Sequence, residues 1–475
     1  MQLTKRKNSN FMMSGYVFIN IIRFIIPLIL ANILQQLYHS ADVVVVGLSV
    51  EPDAVGAIGS TSSYIALIRN VFIGFSVGAN VVIARNIGAN DREGISRAVH
   101  TSVSMGIFFG VIGAILGCAF AYPVFLKMGL TGKILNLAMR YACICLACMP
   151  FSALTNFLIA VLHAKGDTKT PFWVLTGMGI LNVLLNLLFV LGFGMAVEGV
   201  AIATAIANVA SSAILWIYLY KKGKECSLDF RKLGFKKEQF IEIARIGFPA
   251  GLQNALFSIS NLIISSSIIE MNDILTPNGS AYAPVLKANS AGSEIENFMF
   301  VALAPLTTAA SVFTARNVGA KNYREIKKIF WAILIISVVL GGGMALTIPF
   351  REPLMALFGV INGTDELSQI AYSAAETRIF LKWSTFLFYA IMNACSGTIR
   401  GLGKSTTAAA VTFIGTCVLR VVWIYTIFEH FHTLESIYIS YPISWFFTGA
   451  VLFVFAILLI NKCERESLDI NLSKS

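Results

Sequence analysis

Long apolar runs separated by short polar segments recur along the whole of this 475-residue chain. A bilayer core requires about 20 consecutive apolar residues of α-helix. The runs predict six such helices near Ile19–Val46, Val55–Ala84, Ala98–Tyr122, Leu135–Leu162, Phe172–Phe193 and Gly199–Tyr220. After one polar stretch, six more are predicted near Ile246–Ile269, Ser290–Ala315, Ile329–Ile348, Ile379–Ile399, Ala408–Phe428 and Ile437–Ile460. A membrane β-barrel would show short alternating segments instead. The expected fold is an all-α polytopic membrane protein with twelve transmembrane helices.

The polar punctuation repeats as well. Ala84-Arg85-Asn86-Ile87-Gly88-Ala89-Asn90 returns as Ala315-Arg316-Asn317-Val318-Gly319-Ala320-Lys321, with Gly88 and Gly319 suited to a tight helix exit. Arg23 and Pro27 are matched by Arg245 and Pro249, Asn32 by Asn254, Asn156 by Asn393, and Gly166 by Gly403. Equivalent points lie six spans apart, an even number, so both halves enter the membrane the same way round. That is a parallel repeat, one of the transporter plans. It predicts an N-lobe over residues 1–220, a basic linker over 221–239 and a C-lobe over 240–475, each lobe of six helices related by a pseudo-twofold axis.

Composition sharpens this picture. Hydrophobic residues make up 56% of the chain and charged ones 13%, about half the soluble norm, and the mean hydropathy is +0.75. The net charge of +11 is not gathered on one face, which argues against nucleic acid as a partner. Of the 36 Lys and Arg, about 26 fall in loops on the side holding both termini and about four opposite. The positive-inside rule then places both termini in the cytosol and the chain in the cell inner membrane. Lys5-Arg6-Lys7 precedes an apolar run too long for a signal peptide, so that run reads as the first membrane helix. Cys143, Cys145 and Cys148 share one predicted helix and read as small packing residues rather than metal ligands. Gly403-Lys404-Ser405 lacks the earlier glycine and preceding strand of a phosphate-binding loop.

Ionisable groups inside a membrane are costly, so each is a functional candidate. In the first predicted helix, Asn32, Gln35, His39 and Asp42 share one face, and Asn182 and Asn186 lie one turn apart in the fifth. Burial favours a carboxyl that loads and releases protons. An ionised carboxylate with amide oxygens suits sodium instead. In the second half Asn254, Ser258, Asn261 and Ser265 form the equivalent stripe, but Ile264 stands opposite Asp42 in the repeat. Glu296, Arg378, Lys382 and Arg420 are the intramembrane charges there, and Glu296 with Arg420 is the expected ion pair. Arg378, opening its predicted helix, is expected to snorkel to the interface. Arg69 is expected to pair with Asp42 or to face a wet cavity. The aromatics near Trp423 and Trp445 have lipid-facing positions as their commonest fate.

Several blocks together resemble the multidrug and toxic compound extrusion (MATE) family. They are Ala41-Asp42, Gly74-x3-Gly78-Ala79-Asn80 with Ala84-Arg85-Asn86-x-Gly88-Ala89, and Lys165-Gly166-Asp167-x3-Pro171. Asn182 with the Gly192–Thr204 run, Arg420-x2-Trp423 and Tyr441-Pro442-x-Ser444-Trp445 complete the set. The resemblance implies two six-helix lobes around a cavity that opens alternately to each side. It also implies export of amphiphilic, often cationic compounds against an inward flow of protons or sodium. The family's first-lobe acid maps to Asp42 and its fifth-helix asparagine to Asn182. Where some members carry a second acid, this chain has Asn186, and the seventh-helix acid of the sodium-coupled branch is missing. Glu296 is then the second-lobe acid. The expected function is a secondary antiporter, not an enzyme, with no cofactor beyond the coupling ion and with amphiphilic substrates and lipid as partners. It is expected to act as a monomer. A lipid or lipid-linked saccharide flippase, whose cavity would be more cationic, is the alternative within the superfamily. A membrane-embedded enzyme is the alternative outside it, but no His-Glu-x2-His or paired intramembrane aspartates support one.

Overall fold

The computed structural model describes residues 16–47, 54–276 and 283–472. Lys5-Arg6-Lys7 lies outside them. No strand occurs among the described residues, and ten helices are long and apolar enough to cross a bilayer. Helix α1 spans Val17–Gly47, α2 Ala54–Gly88 and α3 Arg92–Lys127. Helices α4 (Gly132–Ala147) and α5 (Met149–Lys165) meet at Cys148 with a 45° bend and together make an eleventh span. Pro150 in the first turn of α5 explains the break within the predicted Leu135–Leu162 helix, because proline suits a helix start and not its interior. Helix α6 spans Lys169–Leu187 and runs on through a π-helical turn, Leu188–Gly192, and α7 spans Val197–Lys222.

The second series opens with α8, Lys237–Leu275, which carries Pro249 as α1 carries Pro27. Helices α9 (Pro284–Gly319) and α10 (Tyr323–Met344) follow, then the short α11 (Arg351–Leu357). Next come α12 (Glu366–Trp383) and α13 (Phe386–Gly401), broken at Ser384–Thr385 just as α4 and α5 are broken. This pair supplies the twelfth span. Its charges hide it from a hydropathy reading, which places the start at Ile379 and misses Glu366–Arg378. The next span passes through α14 (Ser405–Thr412), α15 (Leu419–Trp423) and α16 (Glu429–Phe431). Two π-helical turns, Phe413–Val418 and Ile424–Phe428, separate these pieces. Helices α17 (Leu434–Tyr438) and α18 (Ser440–Leu472) end the chain.

The matched motif forms the same turn twice. Helices α2 and α9 end at Gly88 and Gly319, but the left-handed residues are Asn90 at φ 56° and Lys321 at φ 55°. In each turn an N–H returns to the motif asparagine: Asp91 to the Asn86 carbonyl at 3.1 Å and Asn322 to the Asn317 carbonyl at 2.9 Å.

The described residues divide into two compact units, Ile22–Leu252 and the residues from Gln253 on, the latter joined by 16–21. The first unit has an apolar core of Phe72, Phe125, Leu146 and Met149. In the second, Trp383, Phe386 and Trp445 are fully buried, and Phe386 stacks on Trp445 with ring centres 5.6 Å apart. Ile115, Leu116 and Phe120 on α3 and Leu184 and Leu191 near the end of α6 are exposed, as lipid-facing side chains are. The linker is more ordered than a solvated basic loop. Cys226 and Leu228 are buried, and the Asp229 N–H donates to His100 Nε2 at 2.9 Å.

Candidate functional site

Helix α1 reaches α6 through a contact that only glycine allows. Tyr38 lies against Gly179, where a Cβ would come within 1.9 Å of the ring. The Tyr38 hydroxyl also donates to the Thr176 carbonyl at 3.3 Å. One turn later along α1, this close approach brings Asp42 to the amide pair of α6.

Asn186 is fully buried and donates through Nδ2 to Asp42 Oδ1 at 2.5 Å. Asn182, with its amide nitrogen turned to the acid, donates to the same oxygen at 2.9 Å. In that orientation its carbonyl oxygen accepts from the Thr204 N–H at 3.2 Å and hydroxyl at 3.3 Å, so α7 fixes the amide. Asp42 is thus held by neutral donors and by no ion pair among the described residues. The Asn186 Oδ1 is buried without a hydrogen-bond partner among the described residues. The carboxylate and this amide oxygen together are hard oxygen donors of the kind a small cation takes.

Arg69 forms no ion pair with Asp42, and its residue is exposed. It lies instead within electrostatic reach of Tyr141 and Cys145 on α4, two groups that also feel Asp42. Of the expected polar face on α1, Asn32 is half-buried, while Gln35 and His39 are exposed. The bonds that hold Asp42 come from α6 rather than from its own helix. Thr204 and Tyr38 are additions to the site that the sequence reading does not include. Thr204 closes the Gly192–Thr204 run, which is the available signal for it.

The second unit is built differently. Glu296 on α9 is 1% exposed and takes a two-pronged bond from Arg378, Nε at 2.9 Å and Nη2 at 2.7 Å. Lys382, one turn on along α12, reaches the same carboxylate at 2.5 Å. Arg378 also bonds Asn289. The expected Glu296–Arg420 pair is therefore corrected to Glu296 with Arg378 and Lys382. Arg378 does not snorkel, because its helix begins twelve residues earlier, at Glu366, and carries it inside. Arg420 on α15 is fully buried and donates from Nε to Ser444 Oγ at 2.8 Å. Its guanidinium lies 4.2 Å from the Tyr441 ring centre, 5.4 Å from Phe257 and 5.8 Å from Trp445. Tyr441 and Trp445 are thus buried against a cation rather than facing lipid. On α8, Asn254 and Ser258 are half-buried and Asn261 is exposed. Ser258 and Ser265 bond back to the carbonyls of Asn254 and Asn261 on their own helix.

The MatE family model matches twice, over residues 27–188 and again over 249–426, once for each half of the repeat. Among curated proteins, the chain is 25% identical over 429 residues to the probable multidrug resistance protein YoeA of Bacillus subtilis, covering 88% of this chain and 89% of that protein. It is 27% identical over 420 residues to the probable multidrug resistance protein NorM of Thermotoga maritima, with 86% of each covered. Among solved structures, a MOP superfamily transporter from Pyrococcus furiosus superposes with a TM-score of 0.87 at 22% identity, covering 96% of this chain and 99% of that one. A multidrug resistance MATE family transporter in an outward-facing conformation superposes with a TM-score of 0.82 at 22% identity, covering 94% and 96%. Twelve helices in two lobes connected by a parallel repeat, with the family match in each half, carry one conclusion: this chain belongs to the MatE family, whose members are membrane transporters and not enzymes.

Proposed function

We propose that the protein is a secondary active antiporter that exports amphiphilic, cationic compounds in exchange for protons or sodium ions by alternating access. Asp42 is the coupling group, and Asn182 and Asn186 position it. One observation carries the reading: a carboxylate inside an apolar span is held by two amide donors and by no basic residue among the described ones. A carboxylate whose charge a lysine or arginine already balances has little call for a second cation, whereas one held by neutral donors gains from taking one up. Multidrug resistance in the names of relatives supports the efflux direction. The excess of loop Lys and Arg supports cytosolic termini in the cell membrane.

The mechanism follows from population shift. With the transporter open outward, a proton or sodium ion neutralises Asp42 and stabilises the states in which the acid is shielded. Substrate stabilises another set of states, and each ligand moves the equilibrium by its differential affinity alone. Asn186 Oδ1 would serve as a second oxygen for sodium and has no part in carrying a proton. The experiment is reconstituted efflux of a cationic dye under separately imposed proton and sodium gradients. Asp42→Asn is expected to abolish ion-driven efflux while the protein remains folded. Undiminished efflux by that variant would remove Asp42 from the mechanism.

A further inference from the structure

The two halves differ at one register position in a way that leaves a cation without its partner. In the first half Asn182 lies sixteen residues after Gly166, the glycine that caps α5. In the second, Arg420 lies seventeen residues after the matching Gly403. The π-helical turn Phe413–Val418 takes up the extra residue, since such a turn is a one-residue insertion into an α-helix. Arg420 thus occupies the register of Asn182, the residue that faces Asp42. The position equivalent to Asp42 is Ile264, so the second half supplies a guanidinium and omits the carboxylate.

The surroundings confirm the imbalance. Nη1 and Nη2 of Arg420 are buried with no hydrogen-bond partner among the described residues. Leaving buried charged donors unpaired is costly. Beside it, Lys382 Nζ sits 3.8 Å from the centre of the same Tyr441 ring that Arg420 covers at 4.2 Å, and the two cations feel each other. Glu296, the one carboxylate of this cluster, is taken by Arg378 and Lys382, and apart from Lys382 the side chains near Arg420 are neutral: Phe257, Tyr389, Cys417, Tyr441, Ser444 and Trp445. A second π-helical turn, Ile424–Phe428, follows α15 directly, so Arg420 sits on five residues of α-helix between two such turns. Paired distortions of this kind cost backbone regularity and cluster at functional sites.

We propose that Arg420 is the receptor for one anionic group, a carboxylate or a phosphate, of an amphiphile that the transporter handles, and that the Glu296–Arg378–Lys382 cluster fixes the positive field behind it. The planar fork of arginine suits both anions. The proposal rests on the export reading and narrows it, from cationic amphiphiles in general to those that also carry an acid. Two sources offer this chemistry, a solute carboxylate and a bilayer lipid phosphate.

The test uses the full-length protein in phosphatidylcholine vesicles and two dyes, a rhodamine with a free carboxylate and its methyl ester. Both carry the cationic chromophore, and they differ only in the acid. Wild type is expected to export the free acid in preference to the ester. Arg420→Gln should lower the acid rate at least about tenfold and leave the ester rate unchanged, with Arg420→Lys intermediate. In a parallel thermal unfolding assay, the free acid should raise the transition temperature of wild type and not of Arg420→Gln. If phosphatidylglycerol does so instead, lipid phosphate is the source. The unfolding assay needs no ion gradient, so failure of the antiport reading would stop both dyes alike and leave this assay intact. Should Arg420→Gln not fold, wild type alone decides. Equal export of acid and ester, with no stabilisation by the free acid or by phosphatidylglycerol, overturns the proposal.

Discussion

The two halves of the chain share a scaffold and reverse its electrostatics. In the first, the acid Asp42 sits among amides, with no ion pair among the described residues. In the second, the acid Glu296 is already held by two basic side chains, and a third, Arg420, is left over. The turns after α2 and α9 superimpose in dihedral angle and hydrogen bonding, and the broken pairs α4–α5 and α12–α13 correspond. Duplication therefore preserved backbone geometry where it forms turns and breaks, and released the side chains that face the charges. A repeat can hold an architecture while its chemistry diverges, because backbone geometry and intramembrane charge are enforced by different energies.

The largest expected effect tests whether the two acids are different in kind. Glu296→Gln leaves Arg378 and Lys382 buried against a neutral amide. Removing one partner of a buried ion pair typically costs about 3–5 kcal/mol. Asp42→Asn removes a group that no cation among the described residues balances, and asparagine can still accept a bond from the Asn186 amide. Its stability should stay within about 1 kcal/mol of wild type. Thermal unfolding in detergent, with the folded yield, measures both. Equal destabilisation by the two substitutions would break the contrast between an open acid and a closed one.

An intermediate effect probes how the open acid is placed. Gly179→Ala puts a methyl group where the Tyr38 ring lies. Overpacking of this kind costs about 1–3 kcal/mol, and α1 must move off α6 to relieve it. Asp42 would then lose its bonds to Asn182 and Asn186. Ion-driven efflux should fall more steeply than stability does, and Tyr38→Ala in the same background should recover part of it. If Gly179→Ala changes neither, the α1–α6 contact does not position the acid.

The same contrast separates what a sequence can reveal from what it hides. The repeat and the twelve spans were legible because each leaves a local signature, matched prolines and glycines in one case and apolar length in the other. Periodicity showed only that Asn182 and Asn186 lie one turn apart, and their meeting with Asp42 came through the resemblance to the MATE family. The partner of Glu296 was not legible. Hydropathy starts a span where charge stops, so Arg378 and Lys382 erased the beginning of their own helix and took on the look of residues at its mouth. With α12 starting at Glu366, both fall inside, one turn apart and facing the acid. The π-helical turn before Arg420 was hidden for a related reason. A one-residue insertion changes no composition and shows only as seventeen residues against sixteen when the two halves are counted from their shared glycine.

The smallest expected effect concerns the motif that reveals the repeat. Arg85 and Arg316 occupy the same place in it, yet Arg85 is part-exposed and pairs with Glu242 at 2.6 Å, whereas Arg316 is only 5% exposed. An ion pair near the surface contributes about 0–1 kcal/mol, so Arg85→Gln should barely shift the unfolding temperature, and less still at high salt, where the pair is already screened. A buried guanidinium leaves its hydrogen-bonding partners unmatched when it is shortened, at about 1–3 kcal/mol. Arg316→Gln should therefore cost clearly more than Arg85→Gln and be insensitive to salt. Topology gives the two arginines the same role, since each marks a helix end followed by basic residues. If topology were all they did, the two substitutions would be equivalent. A measured difference in the stated direction would show that even the most faithfully repeated seven residues are held by different interactions in the two halves, and identical effects would restrict the divergence to the intramembrane charges.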